Sequence, residues 1–271
     1  MLLRRAISAA RRTHGAVLRA SNRCMSMAGS VQYYRRQMFV VDNNRNAEAW
    51  PKKLEDSSSH VISKYHHVVE PLNHAKNPKQ LIMAAAYPVE QAADTIDDAS
   101  YTSIDVHDVL VFPDNIRIAG VRDSDVSFVA THLLDEVVDL ASLRSRLVVS
   151  ELQGHHVFVC AHTQRDFRCA CAGPKLIEWF QAKRPQDWTV FASSHYGGHR
   201  FAGNCIIYPE GHWYGLVNDP SDVDSVVHAV TVDKQPVVPS LWRGCINASK
   251  ATQLALHREV ACEDSAATTL V

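Results

Sequence analysis

The 271-residue chain predicts an α/β (α+β) protein: a smaller α/β N-terminal domain, then a second domain whose strand and helix order is more distinctive. Three observations predict it. Short apolar runs, 157–159 and 188–192 among them, have the length of buried strands. Between those two runs Leu176, Ile177, Trp179 and Phe180 recur at helical spacing. Turn signals such as Pro113-Asp114-Asn115 and Glu210-Gly211 separate neighbouring runs.

Composition narrows the classes. Hydrophobic residues make up 46% and charged residues 21%, enough for a sizeable core and against wholesale disorder. A formal net charge of -1 gives no general case for a nucleic-acid partner. No apolar run approaches the roughly 18 residues of a membrane span, so none is expected. Seven cysteines, an odd number at irregular spacing, argue against a disulfide framework and for thiols or metal ligands in a reducing compartment.

Residues 1–41 contain no Asp or Glu and carry Arg4, Arg5, Arg11, Arg12, Arg19, Arg23, Arg35 and Arg36. Leu3, Ile7, Val17 and Leu18 share one helical face. An Arg-rich, acid-free amphipathic start describes a mitochondrial presequence, expected over 1–31. Residues 32–59 are expected as a linker, because 42–59 is polar and rich in Asn, Lys and Ser. The N-terminal domain is expected over 60–147. In it 66–70 and 80–83 read as strands, 87–99 as a helix behind Pro88, and 108–121 as a hairpin. Val129, Leu133, Leu134, Val137, Val138 and Leu140 predict one helix over 127–143. His66, His67, His74 and His107 have no Cys or paired carboxylate at metal spacing and are expected as surface or core residues. This domain reads as a scaffold or docking domain.

The second domain is expected over 148–235. A strand at 157–159 is followed by a helix from Pro174 to Arg184, a strand at 188–192, a hairpin at 205–217 and a helix from Pro220. That β-α-β-β-β-α order is the tail of a thioredoxin-like fold, a mixed sheet with helices on its faces. Residues 236–271 follow as a C-terminal segment with a helix over 248–258 and a frayed end.

The chemistry collects between Val157 and Gly203. Cys160 ends a strand, and Cys169 follows after eight polar or charged-rich residues. That spacing is too wide for a zinc knuckle or a C-x-x-C dithiol. Arg165 and Arg168 nearby favour thiolate, the form that binds metal. His195 and His199 stand four apart around Gly197-Gly198, a turn that lets both imidazoles face one centre. Two thiolates and two imidazoles suit zinc, or a 2Fe–2S cluster with sulfur on one iron and nitrogen on the other. The residues alone leave both open.

The C-x8-C spacing after a strand, followed by S-S-H-Y-G-G-H-R-F-A-G-N, resembles the sucrase/ferredoxin-like family; Trp242-Arg243-Gly244 is similar to its tail. The resemblance implies a thioredoxin-like ferredoxin with a bis-histidinyl, non-Rieske 2Fe–2S cluster. Cys160 and Cys169 would hold one iron, His195 and His199 the other. With the presequence, the resemblance is to the mitochondrial branch, which is associated with thiol redox balance. The implied function is one-electron transfer, proton-coupled where an imidazole carries a proton on its outer nitrogen, with a protein redox partner docking over the His loop. Cys171 stands as a competing ligand or a redox thiol. Other readings are a thiol oxidoreductase using Cys169 and Cys171, and a zinc-stabilised binding module. His162 imitates half of a Rieske motif without a matching second histidine and is expected beside the site or exposed.

Overall fold

A computed structural model describes residues 26–74, 79–89 and 106–268, without the side chains of 74, 79 and 263–268. Its frame is a single ten-stranded mixed sheet, and the chain forms β1 (Tyr34–Val41), α1 (Val61–His74), β2 (Lys79–Pro88), β3 (Val106–Phe112) and β4 (Ile116–Arg122). Next come α2 (Val126–Leu134), α3 (Leu140–Arg144), β5 (Val148–Glu151), β6 (His155–Cys160), α4 (Phe167–Lys183) and β7 (Trp188–Ser193). The chain ends with β8 (Cys205–Tyr208), β9 (His212–Tyr214), α5 (Pro220–His228), β10 (Trp242–Cys245) and α6 (Lys250–Thr268).

The strand order is β10-β9-β8-β6-β7-β2-β1-β3-β4-β5. It contains the same unit twice. β6 and β7 are parallel with α4 between them, and the β8–β9 hairpin pairs back on β6. Likewise β1 and β2 are parallel with α1 between them, and the β3–β4 hairpin pairs back on β1. Each unit closes with a helix, α2 or α5. Both hairpins turn at a proline, Pro113 or Pro209, followed by a left-handed residue, Asn115 (φ 54) or Gly211 (φ 72). The two units join edge to edge through antiparallel β2 and β7, in register at Ala86↔Ser193.

Alternation along each strand divides the core. Val157 and Val159 pack with Leu176, Phe180, Val223 and Val226 under α4 and α5. Phe158, between them, points the other way and stacks on Phe39 with centroids 3.6 Å apart. β1 and β6 are separated by β7 and β2 in the sheet. Neighbouring strands lie about 4.8 Å apart, so that stack requires the sheet to curl around it.

Several local expectations change. Residues 66–70 lie in α1, because Ile62, Tyr65 and Val69 recur at helical period and are buried. The single helix expected over 127–143 is two, broken at 135–139. Tyr87 and Pro88 belong to β2, Val89 follows it without helical structure, and residues 90–99 of the helix expected there lie outside the described residues. α6 continues to Thr268, beyond the expected fraying at 260.

The segment expected as a linker contains β1, which lies inside the sheet, and buries Ala47, Trp50 and Leu54. Arg36, counted above with the targeting arginines, is 4% exposed. It pairs with Asp114 at 2.6 Å and donates to the carbonyls of Leu133, Asp135 and Glu136. Met27, Ala28 and Val31 are also buried, so a presequence ending at 31 would remove packed residues.

Candidate metal centre

β6 and β7 run parallel with Cys160 opposite Ser193, so the two chain ends leaving the sheet together carry the Cys loop and the His loop. Cys160 is buried, and its backbone N–H donates to Asn204 O at 3.1 Å. Asp166 caps α4, its carboxylate accepting from Arg168 N at 3.0 Å. The helix therefore begins seven residues before Pro174, the start expected from its sequence, and Cys169 sits in its first turn rather than in a loop. Successive helical residues turn by about 100°. Cys169 thus faces inward and is buried, whereas Cys171, two residues on, is exposed. Gly173 allows this approach: a Cβ there would lie 2.6 Å from Cys160 O and 2.8 Å from Ala161 Cα.

The His loop is fixed at both ends. Ser194 exchanges hydrogen bonds with Ala85 of β2, its N–H donating at 2.8 Å and its Oγ accepting at 2.9 Å. His195 follows, half-buried, with Nδ1 at 3.6 Å from Cys160 Sγ. Gly197 (φ 108) and Gly198 (φ 76) adopt the left-handed conformation that turns the chain back. His199 then opens a short 3-10 turn, His199–Phe201, and its ring lies 5.6 Å from that of His195 at 29°. Asn204 Nδ2 holds the turn by donating to Gly198 O at 2.8 Å. Tyr196 OH donates to the carbonyls of Phe158 and Asn204 at 3.0 Å each.

The ligand atoms of Cys160, Cys169 and His195 all lie within 4.8 Å of one another, a group able to hold a metal; His199 stands outside it and is exposed. The two thiols are joined by a hydrogen bond that shifts them in opposite directions. Hydrogen bonds from Cys160 and then His195 pull the Cys169 thiol down to about 5 against the opposing effect of burial. The same bond to Cys169, with burial, holds the Cys160 thiol well above its ordinary range. The position of Cys169 in the first turn of α4 acts in the same direction, because the helix dipole there favours negative charge. Cys205 lies inside the core and burial raises its thiol, so it is set apart from the centre.

A strap from the first unit closes the Cys side. Four consecutive residues donate to its carbonyls: His162 Nε2 to Pro51 at 3.0 Å, Thr163 to Ala47 at 3.3 Å, Gln164 to Glu48 at 2.9 Å and Arg165 to Lys52 at 3.1 Å. His162 is buried, and because Nε2 donates to a carbonyl, Nδ1 is free to accept the His195 N–H at 3.3 Å. This ring therefore positions a candidate ligand. Sequence reasoning placed His162 beside the site or at the surface, and missed the strap. Asn204 and Arg243 lie within the two motifs quoted above, which gave neither residue a role; the strap carries no motif, since only its backbone is used.

A cleft of about 500 Å³ opens beside the His loop, lined by His195, His199, His66, Glu70, Ile82 and Met83 among others. His66 faces Glu70 at 3.7 Å; His107 is buried against Tyr65 OH at 3.0 Å. Neither belongs to a metal-holding group among the described residues. The His74 side chain lies outside them.

Comparison with known proteins gives one family and several relatives. The sucrase/ferredoxin-like family model matches residues 27–244. "Actin patches distal protein 1" of Saccharomyces cerevisiae is 29% identical over 156 residues, 49% of this chain and 49% of the relative. "Altered inheritance of mitochondria protein 32" of Clavispora lusitaniae is 37% identical over 94 residues, 32% of this chain and 34% of the relative. The protein of that name from Candida glabrata is 24% identical over 259 residues, covering 78% of each chain. The match thus spans about half of the first relative and about a third of the second. No solved structure matches.

Proposed function

Because the chain belongs to the sucrase/ferredoxin-like family, we propose that Cys160, Cys169, His195 and His199 hold a 2Fe–2S cluster and that the protein transfers single electrons. The observation that carries this is the elongated donor set. The two sulfurs and His195 fall within 4.8 Å of one another, while His199 extends the set outward. A single tetrahedral zinc, bound at about 2.0–2.3 Å from each donor, needs all four in one tight shell. A two-iron centre takes sulfur at one end and nitrogen at the other. When bound, the cluster supplies one-electron redox chemistry; the chain's residues supply one closed side and one open side. The strap covers the Cys loop, and exposed His199 leaves the nitrogen end for a protein redox partner.

The thiol oxidoreductase reading fits less well, because Cys171 faces away from Cys169 around α4. The zinc reading keeps one supporting observation, the closeness of the trio. A mitochondrial location is proposed from the Arg-rich, acid-free start and the names of the relatives, and a role in thiol redox balance from the resemblance to the family's mitochondrial branch. The burial of Met27, the first buried residue described, supports removal of the presequence before it.

Purification without air tests the reading. Iron and sulfide in equal amounts, visible absorption, and a paramagnetic signal after dithionite support it. Colourless protein with stoichiometric zinc and no iron overturns it.

A further inference from the structure

Arg243 is 3% exposed, yet its described contacts are neutral. Nε donates to Ser30 Oγ at 3.2 Å and Nη1 to Asn204 Oδ1 at 2.8 Å. The guanidinium lies over the rings of Phe201, at 4.6 Å, and Trp213, at 5.2 Å. No carboxylate lies within ion-pair distance among the described residues. Burial lowers its pKa only to about 10, so it is a cation at neutral pH.

This cation sits directly behind the loop that carries both imidazoles. A Cβ on Gly198 would lie 2.5 Å from Arg243 Nη2 and 2.6 Å from Nη1. Asn204 links them, accepting from Arg243 and donating to Gly198 O. A buried charge with no counter-ion is costly and usually finds a partner. Dipoles and π faces make it tolerable here but leave the charge uncancelled.

We propose that Arg243 sets the reduction potential of the centre: its uncancelled charge behind Gly198 favours the electron-loaded state. The proposal rests on the cluster reading above. Two ferric ions, two sulfides and two thiolates sum to zero, and one electron makes the centre minus one. The negative charge that Arg243 lacks in the resting protein arrives with that electron. In a poorly screened interior the attraction is stronger than in water. Arg243 is a positioning residue as well, since Gly198 rests on it, so the test must separate charge from support.

The experiment is a dithionite titration of the anaerobically purified protein and three variants, followed by visible absorption. Arg243→Met removes the charge and is expected to lower the potential. Arg243→Lys keeps the charge without the fork and is expected to stay near wild type. Ser30→Asp leaves Arg243 in its cradle and brings a carboxylate to Nε from a half-buried position; it too is expected to lower the potential, with unchanged iron content. Ser30→Asp decides the matter should Arg243→Met fail to fold. A Ser30→Asp protein at wild-type potential, or an Arg243→Lys protein shifted as far as Arg243→Met, overturns the proposal. A wild-type protein without iron and sulfide overturns the cluster reading, and this inference with it.

Discussion

Cys160 Sγ lies 3.6 Å from His195 Nδ1, although the two residues are 35 apart in sequence. The contact follows from the parallel pairing of β6 and β7, which ends both strands at one level. Donor positions are thus fixed by sheet register on one side and by the first turn of α4 on the other.

Cys160→Ser and Cys169→Ser are expected to abolish iron retention and visible absorption, whereas Cys171→Ser keeps both. Cys171 is exposed on the far side of the helix from the buried Cys169. Iron analysis with absorption spectra of the three variants checks this. Bleaching by Cys171→Ser alone would reverse the ligand assignment.

The two loop glycines should differ in their tolerance of alanine. Gly197→Ala meets open space and bears the left-handed conformation alone, a cost of about 1–2 kcal/mol. Gly198→Ala adds a collision with the guanidinium of Arg243 and should displace His199. Chemical denaturation and iron content of the pair read the difference; equal loss in both would mean that Arg243 moves aside freely.

His162→Ala is expected to lower iron retention although His162 is outside the proposed ligand set. It breaks the bridge from Pro51 O to the His195 N–H and opens a buried gap. His162→Gln, whose amide can donate to one partner and accept from the other, should restore part of the loss. The rate of iron release to a chelator measures both.

Stability should fall as pH drops through the range 6.5 to 4. Burial depresses His107, His156 and His212 to about 4, so each stays neutral in the fold while its unfolded counterpart takes a proton. The unfolded state then binds more protons, and the loss is complete near pH 4. A single such histidine contributes up to about 3 kcal/mol, at 1.36 kcal/mol per pKa unit. His156 packs between Phe112 and Phe191, and its Nδ1 has no partner. His156→Phe should therefore flatten part of the slope; urea midpoints at pH 7 and 4.5 that fall as far as in wild type would refute it.

The sequence alone determined the second unit's order and the four candidate donors. Both are local signals: 157–159 and 188–192 declare themselves as strands by length, and the Gly197-Gly198 pair marks a turn between histidines. The N-cap at Asp166 was equally local, but Pro174 imitated a helix start and hid it. Tertiary structure decided the rest. β1 falls in the segment expected as a linker because Arg36 finds its partners, Asp114 and three carbonyls, more than 75 residues away. The strap grips the Cys loop with backbone carbonyls, which every sequence possesses. The edge pairing of β2 with β7 depends on register, and Arg243 reaches Gly198 only because β10 pairs beside β9. Periodicity and spacing report what a chain does within a few residues; a buried cation or a borrowed carbonyl is set by what folding brings beside it.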